Sequence, residues 1–210
     1  VRDMQSMKHV TNLVNGDVTV PLLLDPAFFI KHRNMADMNK TTPPRLGVIM
    51  RLEEFGLRVG GRRSSEKFRS VKKNKFRNSV SFELTYSIVR QFIDELNGTI
   101  DLFVQTRYDY ELAKSIQERI IEEGDSELVN LVEPSSIEEY MDCLSKTDFV
   151  ISSRFHGCIL SLLAGVPPMG IYFDSHGHKL AGLYEMLGIS PYCFRANKEL
   201  LDDISDKFIS

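Results

Sequence analysis

The stretch from Asp148 to Asp174, DFVISSRFHGCILSLLAGVPPMGIYFD, leaves this chain little freedom in what it can fold into. Phe149-Val150-Ile151 is a short unbroken apolar run, which suits a strand buried on both faces. A turn follows, Ser152, Ser153, Arg154, Phe155, His156 and Gly157, and then an apolar segment of helical length, Cys158 to Leu163. Gly165-Val166-Pro167-Pro168 stops that helix, and Met169 to Phe173 is a second buried strand. The result is a strand–helix–strand unit whose first turn carries two hydroxyls, a guanidinium and an imidazole.

The rest of the chain repeats this alternation. Leu46 to Leu52 reads as a strand, and Val80 to Leu96 as a helix with an apolar stripe through Phe82, Tyr86, Val89, Phe92, Ile93 and Leu96, closed by Asn97-Gly98. Ile100 to Gln105 is the next strand, Asp109 to Glu123 a helix capped by Asp109, and Leu128 to Val132 a strand. Ser135 or Ser136 caps a helix from Ile137 to Leu144. Beyond Phe173 come a helix over Lys179 to Leu187, a short strand at Tyr192 to Phe194 and a helix from Lys198 to Ile209. Six strands alternating with helices predict an α/β fold, a Rossmann-like doubly wound parallel sheet.

In such a sheet ligands gather beyond the carboxyl ends of the strands. Arg51, Arg107, Glu133, the 152–157 turn and the cluster Tyr172, Asp174, His176, His178 and Lys179 all fall there. Orphan amides and the positive end of the dipole at a helix start favour an anion, and Arg154 adds a two-pronged donor. Spacing alone equally allows Arg154 to pair with a carboxylate and His156 to pack. Arg51 has a similar choice between an anion and an ion pair with Glu53 or Glu54. Glu133 suits a substrate hydroxyl, an orienting contact to His156, or a helix cap. No Gly-rich dinucleotide fingerprint follows the first strand, so a nicotinamide cofactor is not expected. Cys143, Cys158 and Cys193 are widely spaced with no CxxC, which predicts neither a disulfide framework nor a metal site and fits a reducing compartment.

Charge is distributed unevenly. Between residues 60 and 78 eight basic side chains, Arg62 through Arg77, stand against one acid, Glu66, in a chain whose net charge is −3. A basic loop of this kind suits a polyanion or an anionic membrane face. Phe68 and Phe76 interleave with it, which keeps a nucleic-acid-binding module in view, although the overall charge gives no reason to expect one. No apolar run reaches membrane-spanning length, and no signal-peptide pattern opens the chain.

The turn SSRFHG, with LAGVP after it and a strand ending in an aromatic-Asp pair, resembles the polysaccharide pyruvyl transferase family, as do Arg2-Asp3, Ser6 and Asp25-Pro26-Ala27-Phe28. That resemblance implies one half of a glycosyltransferase-B-like pair of Rossmann-like domains. Residues 1–30 are then the tail of a missing N-terminal domain, 31–44 a linker, and 45–210 the donor-binding domain. The opening VRDMQSM, without an initiator methionine, adds to the expectation of a fragment. The implied reaction moves the pyruvyl group of phosphoenolpyruvate onto a sugar diol of a polysaccharide or its lipid-linked precursor. Arg154 and His156 are then catalytic. Arg51, Ser152, Ser153, Phe155, Gly157, Glu133 and Lys179 join them in binding substrate, with no cofactor and no metal. The setting implied is cytoplasmic, with the basic loop at the inner face of the membrane. A nucleotide-sugar glycosyltransferase or epimerase of the same fold, and a non-catalytic or nucleic-acid-binding module, are the alternatives.

Overall fold

The computed structural model describes residues 1–14, 18–30, 42–52, 79–174, 178–197 and 199–200. The basic stretch 60–78, most of the expected linker, Glu53, Glu54, His176 and nearly all of the helix expected over 198–209 lie outside them.

Six strands form one parallel sheet: β1 (Arg45–Ile49), β2 (Thr99–Phe103), β3 (Val129–Val132), β4 (Phe149–Ser152), β5 (Pro168–Tyr172) and β6 (Cys193–Arg195). Their order is β3-β2-β1-β4-β5-β6. The chain therefore winds outward in one direction from β1 and, after β3, crosses back to wind outward the other way from β4. The reversal falls between β1 and β4, which pair in register from Leu46 with Phe149 to Ile49 with Ser152.

Side chains alternate cleanly across the sheet. Leu46, Val48, Ile100, Leu102 and Ile151 face α2 (Val80–Leu96) and α3 (Tyr110–Glu122) in one buried cluster. Ile49, Phe103 and Val150 face α4 (Ile137–Leu144) and α5 (Phe155–Leu163) in another. This double burial explains the unbroken apolar runs of the central strands, each enclosed Leu, Ile or Phe contributing about 1.5–3 kcal/mol. A third cluster joins Cys158 and Ile159 of α5 to Leu180, Leu183 and Tyr184 of α6 (Lys179–Met186). The helix ends follow the expected chemistry: Ser136 caps α4 by accepting from the Glu139 amide, and Asn97 ends α2 in the left-handed region at φ 49°.

Residues 1–30 are docked on this body. Helix α1 (Met4–Leu13) is capped by Asp3, whose Oδ1 accepts from the Ser6 amide at 2.7 Å. The extended approach of Val1 to Asp3 is not a sheet strand; Val1 instead accepts from the Leu23 amide at 2.8 Å. Gln5 and Lys8 reach Glu185 on α6 at 3.0 and 2.7 Å. Gly182 lets the two helices approach, since a Cβ there would stand 2.8 Å from Asp3 Oδ1 and 3.0 Å from the Gln5 amide nitrogen. A single 3-10 turn, Pro26–Phe29, places Ala27 and Phe28 against the α5–α6 cluster.

Candidate functional site

The ends of β1 and β4 are stitched together at the reversal. The Ser153 amide donates to the Ile49 carbonyl at 3.0 Å, and the Arg51 amide donates to Ser153 Oγ at 2.9 Å. Strand β1 stops at Ile49, earlier than the expected Leu52, so Arg51 sits in the turn beyond the strand and beside the 152–157 turn. Ser152 is fully enclosed; its Oγ accepts from the Arg154 amide at 3.0 Å and lies 3.1 Å from the Arg154 carbonyl. It shapes the turn. Gly157 serves the same packing, because a Cβ there would lie 2.6 Å from Ser152 Oγ.

Arg154 is the N-cap of α5, which begins at Phe155 and so earlier than its apolar segment suggested. Its side chain makes no cap bond at this end. The first amide to bond within the helix is that of Cys158, to the Arg154 carbonyl at 3.1 Å. The amides of Phe155, His156 and Gly157 therefore head the helix at the positive end of its dipole. The Arg154 side chain, 18% exposed, turns toward β2 and forms an ion pair with Asp109, which is 1% exposed. Its Nη2 also reaches Thr106 Oγ1 at 3.1 Å. Its Nε is buried with no hydrogen-bond partner among the described residues.

Asp109 was expected to cap α3. It occupies the cap position, but its side chain makes no cap bond. Oδ2 accepts from the Thr106 amide at 3.0 Å, and Oδ1 holds Arg154. The long-range ion pair displaces the local bond because a buried carboxylate gains more from a guanidinium than from one helix amide. Tyr140 of α4 packs its ring on Phe103 at 5.5 Å, and its hydroxyl is buried without a partner among the described residues. Burial, then the negative charge of Asp109, pushes that hydroxyl well above the ordinary phenol range.

His156 faces the other way, toward residues 1–30. It is 47% exposed, and its Nε2 stands 3.6 Å from Oδ1 of Asp25, a carboxylate only 3% exposed. Asp25 also accepts from the Ala27 amide at 2.9 Å, and Arg2 Nη1 donates to its Oδ2 at 2.6 Å. Burial works to raise the Asp25 carboxyl, but the Ala27 amide and Arg2 together outweigh it, so the group titrates below its ordinary value. The Arg2 guanidinium lies 5.1 Å from the centroid of the Phe155 ring, which makes Phe155 a platform between the two segments.

The remaining expected site residues are not gathered here. Glu133 is exposed after β3, separated from β4 by β2 and β1, and it makes no contact with His156; the neighbouring helix is capped by Ser136 instead. Lys179 is exposed at the start of α6. Arg107 lies on the surface against Tyr108. Asp174 pairs with Arg195 at the end of β6, which lowers its carboxyl below the usual range, and His178 sits edge-on to Tyr172. Among the described residues no group of three or more His, Cys, Asp or Glu side chains could hold a metal ion. No described helix is long and apolar enough to cross a membrane.

Sequence reasoning missed Asp25, Asp109 and Tyr140 as parts of the site. Asp25 was legible only as part of a motif, and nothing in the spacing links it to a histidine 131 positions later.

Comparison with known proteins adds to this geometry. None of the curated proteins matches the chain at a significant level. Among solved structures, a lysine-to-methionine mutant of the Thermobaculum terrenum O-GlcNAc transferase aligns at 13% identity with a TM-score of 0.48. It covers 80% of this chain and 28% of that one, so the chain spans well under half of that enzyme's length. The family model for polysaccharide pyruvyl transferase matches residues 1–175, a span that takes in Arg2, Asp25, Arg51, Arg154 and His156, and the chain belongs to that family.

Proposed function

We propose that this chain carries the donor half of a pyruvyl transfer site, with phosphoenolpyruvate bound at the reversal point between β1 and β4. The observation that carries the reading is Arg154: a guanidinium fixed by a buried carboxylate at an uncapped helix start, with its Nε left without an acceptor. An unsatisfied buried donor costs about 1–3 kcal/mol, which a bound carboxylate or phosphate oxygen would relieve. Phosphoenolpyruvate presents both anions close together. The helix amides, Arg154 and Arg51 suit that dense charge.

Ketal formation requires one proton to be added to the methylene carbon of the donor and two hydroxyl protons to be lost from the sugar diol. The first hydroxyl oxygen bonds to the donor's central carbon, the phosphate C–O bond breaks, and the second hydroxyl closes the ketal. One hydroxyl proton balances the one gained by the methylene, and the other leaves with phosphate. His156, half-exposed at the mouth of the site, is the proton carrier or the partner of the departing phosphate. The scheme uses no metal or cofactor.

The acceptor, a sugar of a polysaccharide or of its lipid-linked precursor, would approach across the side formed by residues 1–30. That side carries exposed Leu13, Val18, Leu23, Leu24 and Phe29, an apolar set that a preceding Rossmann-like domain would cover. The basic residues Arg62 to Arg77 would face an anionic membrane surface holding the acceptor, at its cytoplasmic side. The test is phosphate release from phosphoenolpyruvate with acceptor sugar in the intact enzyme. Arg154→Ala and His156→Ala are each expected to abolish it. Near-normal release, or binding of a nucleotide-sugar in place of phosphoenolpyruvate, would sink the reading.

A further inference from the structure

The contact between His156 and residues 1–30 has a chemical consequence that rests on the pyruvyl-transfer reading. We infer that Asp25 is a positioning residue for His156, and that it makes Nδ1 the nitrogen that works on the substrate. The geometry is directional. Nε2 of His156 faces Asp25 Oδ1 at 3.6 Å, about half an ångström beyond a hydrogen bond, so a small closure turns the contact into Nε2–H donating to the carboxylate. Only Nδ1 then faces away from Asp25.

Asp25 is built to stay charged while doing this. Its side chain is 3% exposed, the Ala27 amide binds Oδ1 at 2.9 Å, and Arg2 binds Oδ2 at 2.6 Å. Its carboxyl titrates below the ordinary range, so at neutral pH it is a fixed anion beside the imidazole. Among the described residues, the charged groups facing His156 are Asp25, the cap of the 26–29 turn, and Arg2 at its far oxygen. On its own helix stands Arg154, committed to Asp109.

The contact also gives residues 1–30 a catalytic purpose. They deliver a carboxylate to a histidine on α5, across an interface fixed by the α1–α6 contacts. In this arrangement Asp25 touches no reacting atom and acts only through the ring.

The test compares Asp25→Asn, Asp25→Glu and His156→Ala in the intact enzyme, reading phosphate release from phosphoenolpyruvate, donor binding by calorimetry, and imidazole tautomer by 15N NMR. Asp25→Asn is expected to keep donor affinity within about twofold and to lower kcat about 10- to 100-fold. Its 15N spectrum should lose the wild-type preference for the proton on Nε2. Asp25→Glu should restore part of kcat, and the double variant Asp25→Asn with His156→Ala should lose no more than His156→Ala alone. A wild-type kcat and tautomer in Asp25→Asn, with His156→Ala inactive, would overturn the inference while leaving pyruvyl transfer intact. A wild-type enzyme that releases no phosphate from phosphoenolpyruvate would instead overturn the functional reading. Should Asp25→Asn melt early, Asp25→Glu decides: a reduced but measurable kcat with donor affinity held and the imidazole proton still on Nε2 supports the dyad, and a dead enzyme with the wild-type tautomer contradicts it.

Discussion

Arg154 and His156 are two residues apart on one turn, yet they are held in opposite ways. Arg154 points inward to Asp109, a carboxylate from the β2–α3 connection that is 1% exposed. His156 points outward, 47% exposed, to a carboxylate delivered from the far N-terminal part of the chain. The proposed donor-binding cation is thus anchored within the sheet's own core, whereas the proposed proton carrier depends on a docked segment. A charge that only binds gains from rigidity, while a group that must gain and lose a proton needs access and a partner that tunes it.

Breaking the inward half should cost most. Asp109→Ala removes the counter-charge of a largely buried guanidinium, and loss of one member of such a pair costs about 3–5 kcal/mol. Arg154 keeps some solvent contact, so the lower end of that range is expected, read as a fall in the midpoint of chemical denaturation. An unchanged midpoint would mean that the ion pair does not anchor the turn.

Gly157→Ala comes next. Its Cβ would meet Ser152 Oγ at 2.6 Å, and Ser152 is enclosed, so the start of α5 must shift. Overpacking of this kind costs about 1–3 kcal/mol. It should weaken donor binding along with stability, which calorimetry and thermal melting would show together.

Gly182→Ala probes the outward half without touching the site. The new methyl would press on Asp3 and the Gln5 amide, but alanine also favours the helix by about 1 kcal/mol, so net stability should change little. Loosened docking of residues 1–30 should lower kcat while donor affinity holds. Equal losses in both would show that the two halves are not separable.

The smallest effect concerns acid. The Asp25 carboxyl has a folded-state value below its ordinary 3.8, so its contribution to stability is complete above that value and is lost as pH falls through the lower, folded one. Docking of residues 1–30 should therefore weaken selectively below about pH 4, seen as earlier amide exchange in α1 than in the strands. Uniform exchange would contradict it.

The layout of the fold was legible because it is periodic and local. Buried parallel strands announce themselves as Phe149-Val150-Ile151 and Leu46 to Ile49, and Asn97 and Ser136 end and start their helices as their backbone and hydroxyl chemistry dictate. Arg154 and His156 were legible as a turn between a strand and a helix. Their partners were not. Asp109 reads locally as a cap, and only the sheet order, which sets β2 and β4 on either side of β1, brings it near Arg154. Asp25 meets His156 only because α1 and the 26–29 turn dock on α6 and α5, a packing outcome that no spacing rule contains. Glu133 stands apart from Arg154 and His156 for the same reason, since a strand end places a residue on the right edge without saying how many strands away it stands.

The most direct measurement is calorimetric titration of phosphoenolpyruvate into the intact enzyme and its Arg154→Lys variant. Lysine keeps a charge for Asp109, and so the fold, but loses the planar fork that would grip a carboxylate or phosphate. The account predicts a wild-type binding isotherm weakened at least about tenfold in the variant, with the melting temperature nearly unchanged. Equal affinity in the two proteins would contradict the claim that Arg154 is the donor anchor.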